Sequence, residues 1–187
     1  MLMKFRSLIM WLCLCLFAQV YAQRTVLDIR DWQFSRDRQT WHSVRIPHDW
    51  AIGGPFDRKW DLQFVAIEQN GEKVATEKSG RSGGLPWIGK GFYRTELVVP
   101  EGYGHAMLHF DGAMAEPVVC INGQEAGHWV YGYNAFQIDA TPYLKAGQRN
   151  TIEVALNNVE ESSRWYPGGG LYRPVWLTLS SEAHIRD

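Results

Sequence analysis

Several things are scarce in this chain of 187 residues, and each scarcity removes a class of function. Cysteine is scarce: of three, Cys13 and Cys15 lie in the leading apolar stretch, so Cys120 stands alone in the remainder and no disulfide can form within it. The chain is therefore not a small disulfide scaffold. An excess of one charge is also missing. Without Lys4 and Arg6 at the front, 17 basic residues face 20 acidic ones, with no basic stripe or charged tail, which excludes a nucleic-acid surface. Nor is there a long hydrophobic run. Leu8 to Ala18 is apolar over eleven residues, about half of the roughly 20 that a helix needs to cross a bilayer. Preceded by Lys4 and Arg6 and followed by Val20 and Ala22, it reads as a secretory signal over 1–22 cut before Gln23. The expectation is an exported protein, periplasmic or secreted, with one domain over 23–187 and no membrane span.

Helical spacing is absent as well. No window keeps apolar residues at a period of 3.6, whereas short runs rich in β-branched and aromatic residues recur between Gly, Pro, Asn and Asp. The fold class is all-β. The clearest strands begin at Phe92, Ala106, Val118, Ala135, Thr151 and Pro174, with turns at Asp111-Gly112, Asn122-Gly123 and Gly147 to Asn150. Asn122-Gly123 is the most specific of these, because both residues tolerate the positive φ of a tight hairpin. It should join two antiparallel strands over about 117–122 and 124–130. Strands spaced in this way, with alternating faces, favour a jelly-roll β-sandwich over an up-and-down barrel. The polar stretch from Asp57 to Gly91 reads as an excursion or as paired edge segments.

Catalytic motifs fail one after another. Gly84 to Gly91 comes within one residue of a phosphate loop, yet Gly91 stands where a magnesium-holding Ser or Thr is needed, and a β-run follows where a helix should. His48-Asp49 suggests a hydrolase triad, but neighbours in extended chain point to opposite faces and no Gly-x-Ser-x-Gly elbow exists. Both side chains are expected to fix the loop. The six histidines show no ligand spacing, so no catalytic metal or cofactor is expected, although a structural calcium or sodium on loop oxygens is compatible with the sequence. Glu96, Glu116, Glu125, Glu153, Glu160 and Glu161 include no marked pair of the kind that glycoside cleavage places about 5 to 9 Å apart. Cys120, inside an apolar run, is expected in the core rather than as a nucleophile. What the chain does have is aromatics. Trp129, Tyr131, Tyr133, Trp165, Tyr166 and Tyr172 fall in two Gly-rich segments, where they serve either as core and interface or as platforms for a sugar ring.

Phe92-Tyr-Arg94, Phe110-Asp-Gly112, Ile121-Asn-Gly123, Gly132-Tyr133 and Arg164-Trp-Tyr-Pro-Gly-Gly-Gly-Leu-Tyr-Arg173-Pro-Val-Trp, with Ile46-Pro-His-Asp-Trp50 before them, resemble the first domain of glycoside hydrolase family 2. The resemblance spans nearly all of 23–187 in the family's order. It implies a galactose-binding-domain-like jelly roll, which in β-galactosidase-type members precedes an immunoglobulin-like sandwich and a TIM barrel bearing both catalytic glutamates. It implies no catalytic residue in this chain, which is expected to end before those domains, and a substrate-facing segment at Arg164, Trp165 and Tyr166. Ser162-Ser163-Arg164 stands where some members hold an acidic substrate or sodium ligand, which departs from their metal contact. Arg164 offers bidentate hydrogen bonds to sugar hydroxyls. Gly168 to Gly170 either let the loop approach a neighbour or form a plain turn, and Arg173 is expected to brace the domain from within. The functional expectation is a non-catalytic domain that supports or completes the sugar site of a barrel, with a galactoside-type carbohydrate or the missing domains as partners. The alternative is a free-standing exported carbohydrate-binding protein. Surface left bare where those domains would pack predicts self-association.

Overall fold

The computed structural model describes residues 24–57, 64–69, 72–77, 87–158 and 168–183. Among them there is no helix. Twelve strands follow in order: β1 (Arg24–Asp28), β2 (Asp31–Ser35), β3 (His42–Arg45), β4 (Phe64–Gln69), β5 (Glu72–Glu77), β6 (Lys90–Val98), β7 (His105–Phe110), β8 (Val118–Ile121), β9 (Gln124–His128), β10 (Phe136–Asp139), β11 (Arg149–Asn157) and β12 (Val175–Ser180). One sheet runs β1-β12-β7-β10 and the other β3-β2-β6-β11-β8-β9, every pairing antiparallel. They form the two layers of a jelly-roll sandwich. The Asp57–Gly91 excursion contains β4 and β5, which among the described residues pair with each other alone, Ile67 opposite Val74.

Alternation in the sequence decides which side chains face inward. Along β11, Asn150, Ile152, Val154 and Leu156 point into the core while Thr151 and Glu153 point out. On the opposite layer Ala106, Leu108 and Phe110 of β7 and Val175, Leu177 and Leu179 of β12 meet them in one continuous cluster. Each fully buried Leu, Ile, Val or Phe contributes about 1.5–3 kcal/mol. Cys120 corrects the expectation of a core residue. Val119 and Ile121 take the inward positions of β8, so Cys120 lies on the outer face, half-buried. Burial there pushes its thiol up, which leaves it a poor nucleophile.

The Asn122-Gly123 hairpin joins β8 to β9 with both φ angles positive, 52° and 80°. Asn122 does more than turn the chain. Its Oδ1 accepts from the Thr151 amide at 3.1 Å, and its Nδ2 donates to the Tyr143 carbonyl and to Asn150 Oδ1, both at 2.8 Å. Asn150, fully buried, accepts from the Lys145 amide at 2.7 Å and donates to the carbonyls of Lys145 and Gln148 at 2.9 Å. Two amide side chains thus satisfy the turn backbone that enters β11.

Candidate functional site at the loop-bearing edge

Six segments, near residues 46–51, 87–89, 113–116, 129–133, 157–158 and 168–173, gather at one edge of the sandwich. The segment 168–171 is bonded on both flanks. On one side the amides of His48 and Trp50 donate to the carbonyls of Leu171 and Gly169 at 2.8 and 3.1 Å. On the other, Met114 and Gly170 exchange two hydrogen bonds of 3.0 Å. The glycines make this fit. A Cβ on Gly169 would lie 2.5 Å from the Trp50 indole, and one on Gly170 would lie 2.4 Å from Tyr93 Oη and 2.5 Å from the His48 carbonyl oxygen. Gly169 and Gly170 are thus required by close packing within the domain itself, whereas Gly168 has ordinary contact distance to Asp49.

Beneath this segment lies an aromatic floor. Phe34 stacks on Trp50 at 5.7 Å between centroids, Trp50 leans on Trp87 at 5.5 Å, and Phe34 packs on Tyr93 at 5.0 Å. His48 Nδ1 and Tyr93 Oη share a hydrogen bond of 2.7 Å. Desolvation lowers the His48 pKa, with Asp49 opposing, and desolvation raises that of Tyr93, so both are neutral near pH 7. Asp49 Oδ1 accepts from the Ala51 amide at 2.8 Å. His48 and Asp49 thus fix the loop, as expected. Phe34 and Trp87 are the members of this site that sequence reasoning did not single out, and Tyr93 entered only as part of Phe92-Tyr-Arg94, with no role of its own. For Tyr93 the available signal is its inward parity in Phe92-Tyr-Arg94 on β6.

Arg164, Trp165 and Tyr166, together with Glu160 and Glu161, lie outside the described residues. Their flanks are placed: Asn158 Nδ2 donates to the Gly168 carbonyl at 2.8 Å, and the Asn158 amide to the Gly89 carbonyl at 3.0 Å. Beside them an aromatic ridge faces solvent, with Trp129 and Tyr133 each 40% exposed, Tyr131 57% and Val130 73%. Trp129 caps a column of parallel rings. It stacks on Phe136 at 5.7 Å and 7°, and Phe136 stacks on Phe110 in the core at 4.7 Å and 6°. Tyr172 ties the ridge to the 168–173 segment by donating to the Gly132 carbonyl at 2.8 Å. Arg173, although exposed, braces the domain from within as expected, donating to the Asp111 carbonyl at 3.3 Å and lying over the face of Tyr172.

The chemistry of this edge is apolar contact and hydrogen bonding. Among the described residues no three His, Cys, Asp or Glu side chains gather in a way that could hold a metal ion. Lys90 opens a strand, not a helix, which removes the phosphate-loop reading. Glu116 is engaged by Asn157 Nδ2 at 2.7 Å and Glu96 by Arg149 at 2.7 Å.

No family model matches the chain. Curated relatives and solved structures do. The β-galactosidase BoGH2A of Bacteroides ovatus is 35% identical over 148 residues, 78% of this chain and 15% of its own length. A solved glycosyl hydrolase family 2 member from Bacteroides cellulosilyticus superposes with TM-score 0.62 at 26% identity, over 82% of this chain and 20% of that one. A β-glycosidase from Bacteroides vulgatus gives TM-score 0.63 at 28% identity, over 83% and 20%. The chain spans only about a fifth or less of the length of these proteins. A matching sandwich in solved members and a relative a third identical over most of the chain lead to one conclusion: the chain belongs with glycoside hydrolase family 2 and corresponds to one β-sandwich domain of its matched members, which are named as β-galactosidases and β-glucuronidases.

Proposed function

We propose that this exported domain is non-catalytic and that its loop-bearing edge packs on the remaining domains of a β-galactosidase-like enzyme, where the 159–167 segment with Arg164, Trp165 and Tyr166 completes a galactoside site formed mainly elsewhere. The observation that carries this reading is the ridge of Trp129, Val130, Tyr131 and Tyr133. Four large apolar side chains stand exposed beside the ends of that segment, on a base held rigid by the Phe110–Phe136–Trp129 column. Apolar surface presented in this way is characteristic of a docking face.

Purified chain incubated with nitrophenyl galactoside and glucuronide should show no turnover. Turnover abolished by a single Glu substitution would overturn the reading. The same ridge should drive self-association. Tyr131→Ser combined with Tyr133→Ser should shift sedimentation toward monomer without loss of fold, and an unchanged distribution would remove the ridge as the contact.

A second reading, a free-standing carbohydrate-binding protein, draws on the same column. With one face of Trp129 stacked on Phe136, the indole is held flat for a sugar ring to cover. Titration calorimetry with galactosides, in which Trp129→Ala abolishes binding, would favour it.

A further inference from the structure

The outer face of the six-stranded sheet bears a groove of about 1200 Å³, lined by β2, β3, β6 and β11 and by the Asn122-Gly123 turn. It lies on a different surface from the aromatic ridge, none of whose residues lines it. Small-molecule clefts commonly hold about 300–1,000 Å³, so this one suits an extended ligand. Its floor is a ladder. Ser43, Gln33, Arg94 and Glu153 stand opposite one another on four adjacent strands, and at roughly 4.8 Å per strand they form a row about 14 Å long across the sheet.

The chemistry along the row alternates donors with acceptors. Arg94 is held in place by Gln33 Oε1, which accepts from its Nε at 2.7 Å, and by the Trp41 ring 4.0 Å beneath its guanidinium. Asp31, Arg45, Lys145 and Glu153 line the same groove, and among the described residues their side chains enter no hydrogen bond or salt bridge. Charged groups of both signs thus converge on one concavity with their hydrogen-bonding capacity unspent. With Glu96 already paired to Arg149, Arg45, Arg94 and Lys145 stand against Asp31 and Glu153, a near balance of signs that gives the groove little with which to select an anion. No exposed large apolar side chain lines it, so it lacks the core of a protein-docking face.

A chain of neutral hydroxyls fits these conditions, because each hydroxyl both donates to a carboxylate and accepts from a guanidinium or ammonium, and such charge-assisted bonds are the stronger ones. We infer that the groove over Gln33, Arg94, Thr151 and Glu153 is a second carbohydrate site, separate from the loop-bearing edge, that takes a short neutral oligosaccharide lying across the strands. The choice of sugar as the ligand rests on the family reading. The groove does not.

The test is amide chemical-shift mapping on the whole chain with β-1,4-galactotriose, and with trigalacturonate as its charged counterpart. Galactotriose should shift the amides of residues 94–96 and 151–153. Glu153→Gln and Arg45→Ala, both exposed and outside the core, should each weaken binding about tenfold, while Tyr131→Ser leaves it unchanged. Absence of shifts there at about 20 mM sugar, where even millimolar affinity saturates, would overturn the site, as would shifts confined to residues 129–133. Tighter binding of trigalacturonate would overturn its neutral character. None of these failures bears on the nitrophenyl glycoside test of the enzyme-domain reading, so the two fail separately.

Discussion

Gly170→Ala is the sharpest test of how the loop-bearing edge is assembled. Gly170 has φ of 110°, and an added Cβ would meet Tyr93 Oη at 2.4 Å and the His48 carbonyl oxygen at 2.5 Å. Neither neighbour can yield freely. Tyr93 is buried and bonded to His48 Nδ1, and the His48 backbone is bonded to Leu171. The backbone strain of a non-glycine residue in this region costs about 1–3 kcal/mol, and pushing two fixed atoms apart adds an overpacking cost of about 1–3 kcal/mol. Reduced freedom of the unfolded chain returns about 0.4–1 kcal/mol. The expected net loss is about 1–5.5 kcal/mol with a centre of about 3 kcal/mol, and at about 2–4 °C per kcal/mol for a chain of this size that centre lowers Tm by roughly 6–12 °C. Gly123→Ala supplies the comparison. Its φ of 80° is also positive, but nothing lies within 4 Å of the added carbon, so only the left-handed penalty of about 1–2 kcal/mol applies, less the same return. Thermal melts and urea titrations of both variants separate the two contributions. If Gly170→Ala melts no lower than Gly123→Ala, the steric account of the 168–171 segment is wrong.

Other outcomes follow from the same physics. His48 has a lowered pKa in the folded state, so as pH falls through about 6.5 the unfolded chain takes the proton first. Stability should be flat above that range, decline below it and level off under the folded value, and His48→Gln should remove this slope in urea midpoints measured across pH. Asn150→Ala strips partners from the Lys145 amide and from the Lys145 and Gln148 carbonyls around a fully buried position, and should cost about 3 kcal/mol by urea denaturation. A loss below about 0.5 kcal/mol would mean that water replaces the amide.

The parts of the fold legible in the sequence are those specified within a few residues. Asn122-Gly123 announces its hairpin because positive φ is needed at both positions, and β11 announces its faces because polar residues alternate with Ile152, Val154 and Leu156. Cys120 was misplaced for a related reason. Pro117 to Ile121 holds no polar residue to mark parity, so a shift of one residue changes the face without any local sign. The glycine run at 168–170 was ambiguous because what decides it, Trp50 and Tyr93, lies far away in sequence and meets it only after the sheets close. The groove left no trace in the sequence at all. Gln33, Arg94 and Glu153 belong to strands whose adjacency is set by topology, and each taken singly reads as a solvated face.

The bond from Asn158 Nδ2 to the Gly168 carbonyl, 2.8 Å long, has a consequence for how this domain tolerates change. It joins, through one side chain, two positions that stand ten residues apart in the sequence. An exchange at position 158 is therefore felt at the start of the glycine segment, and the edge answers to a residue that lies in none of its turns.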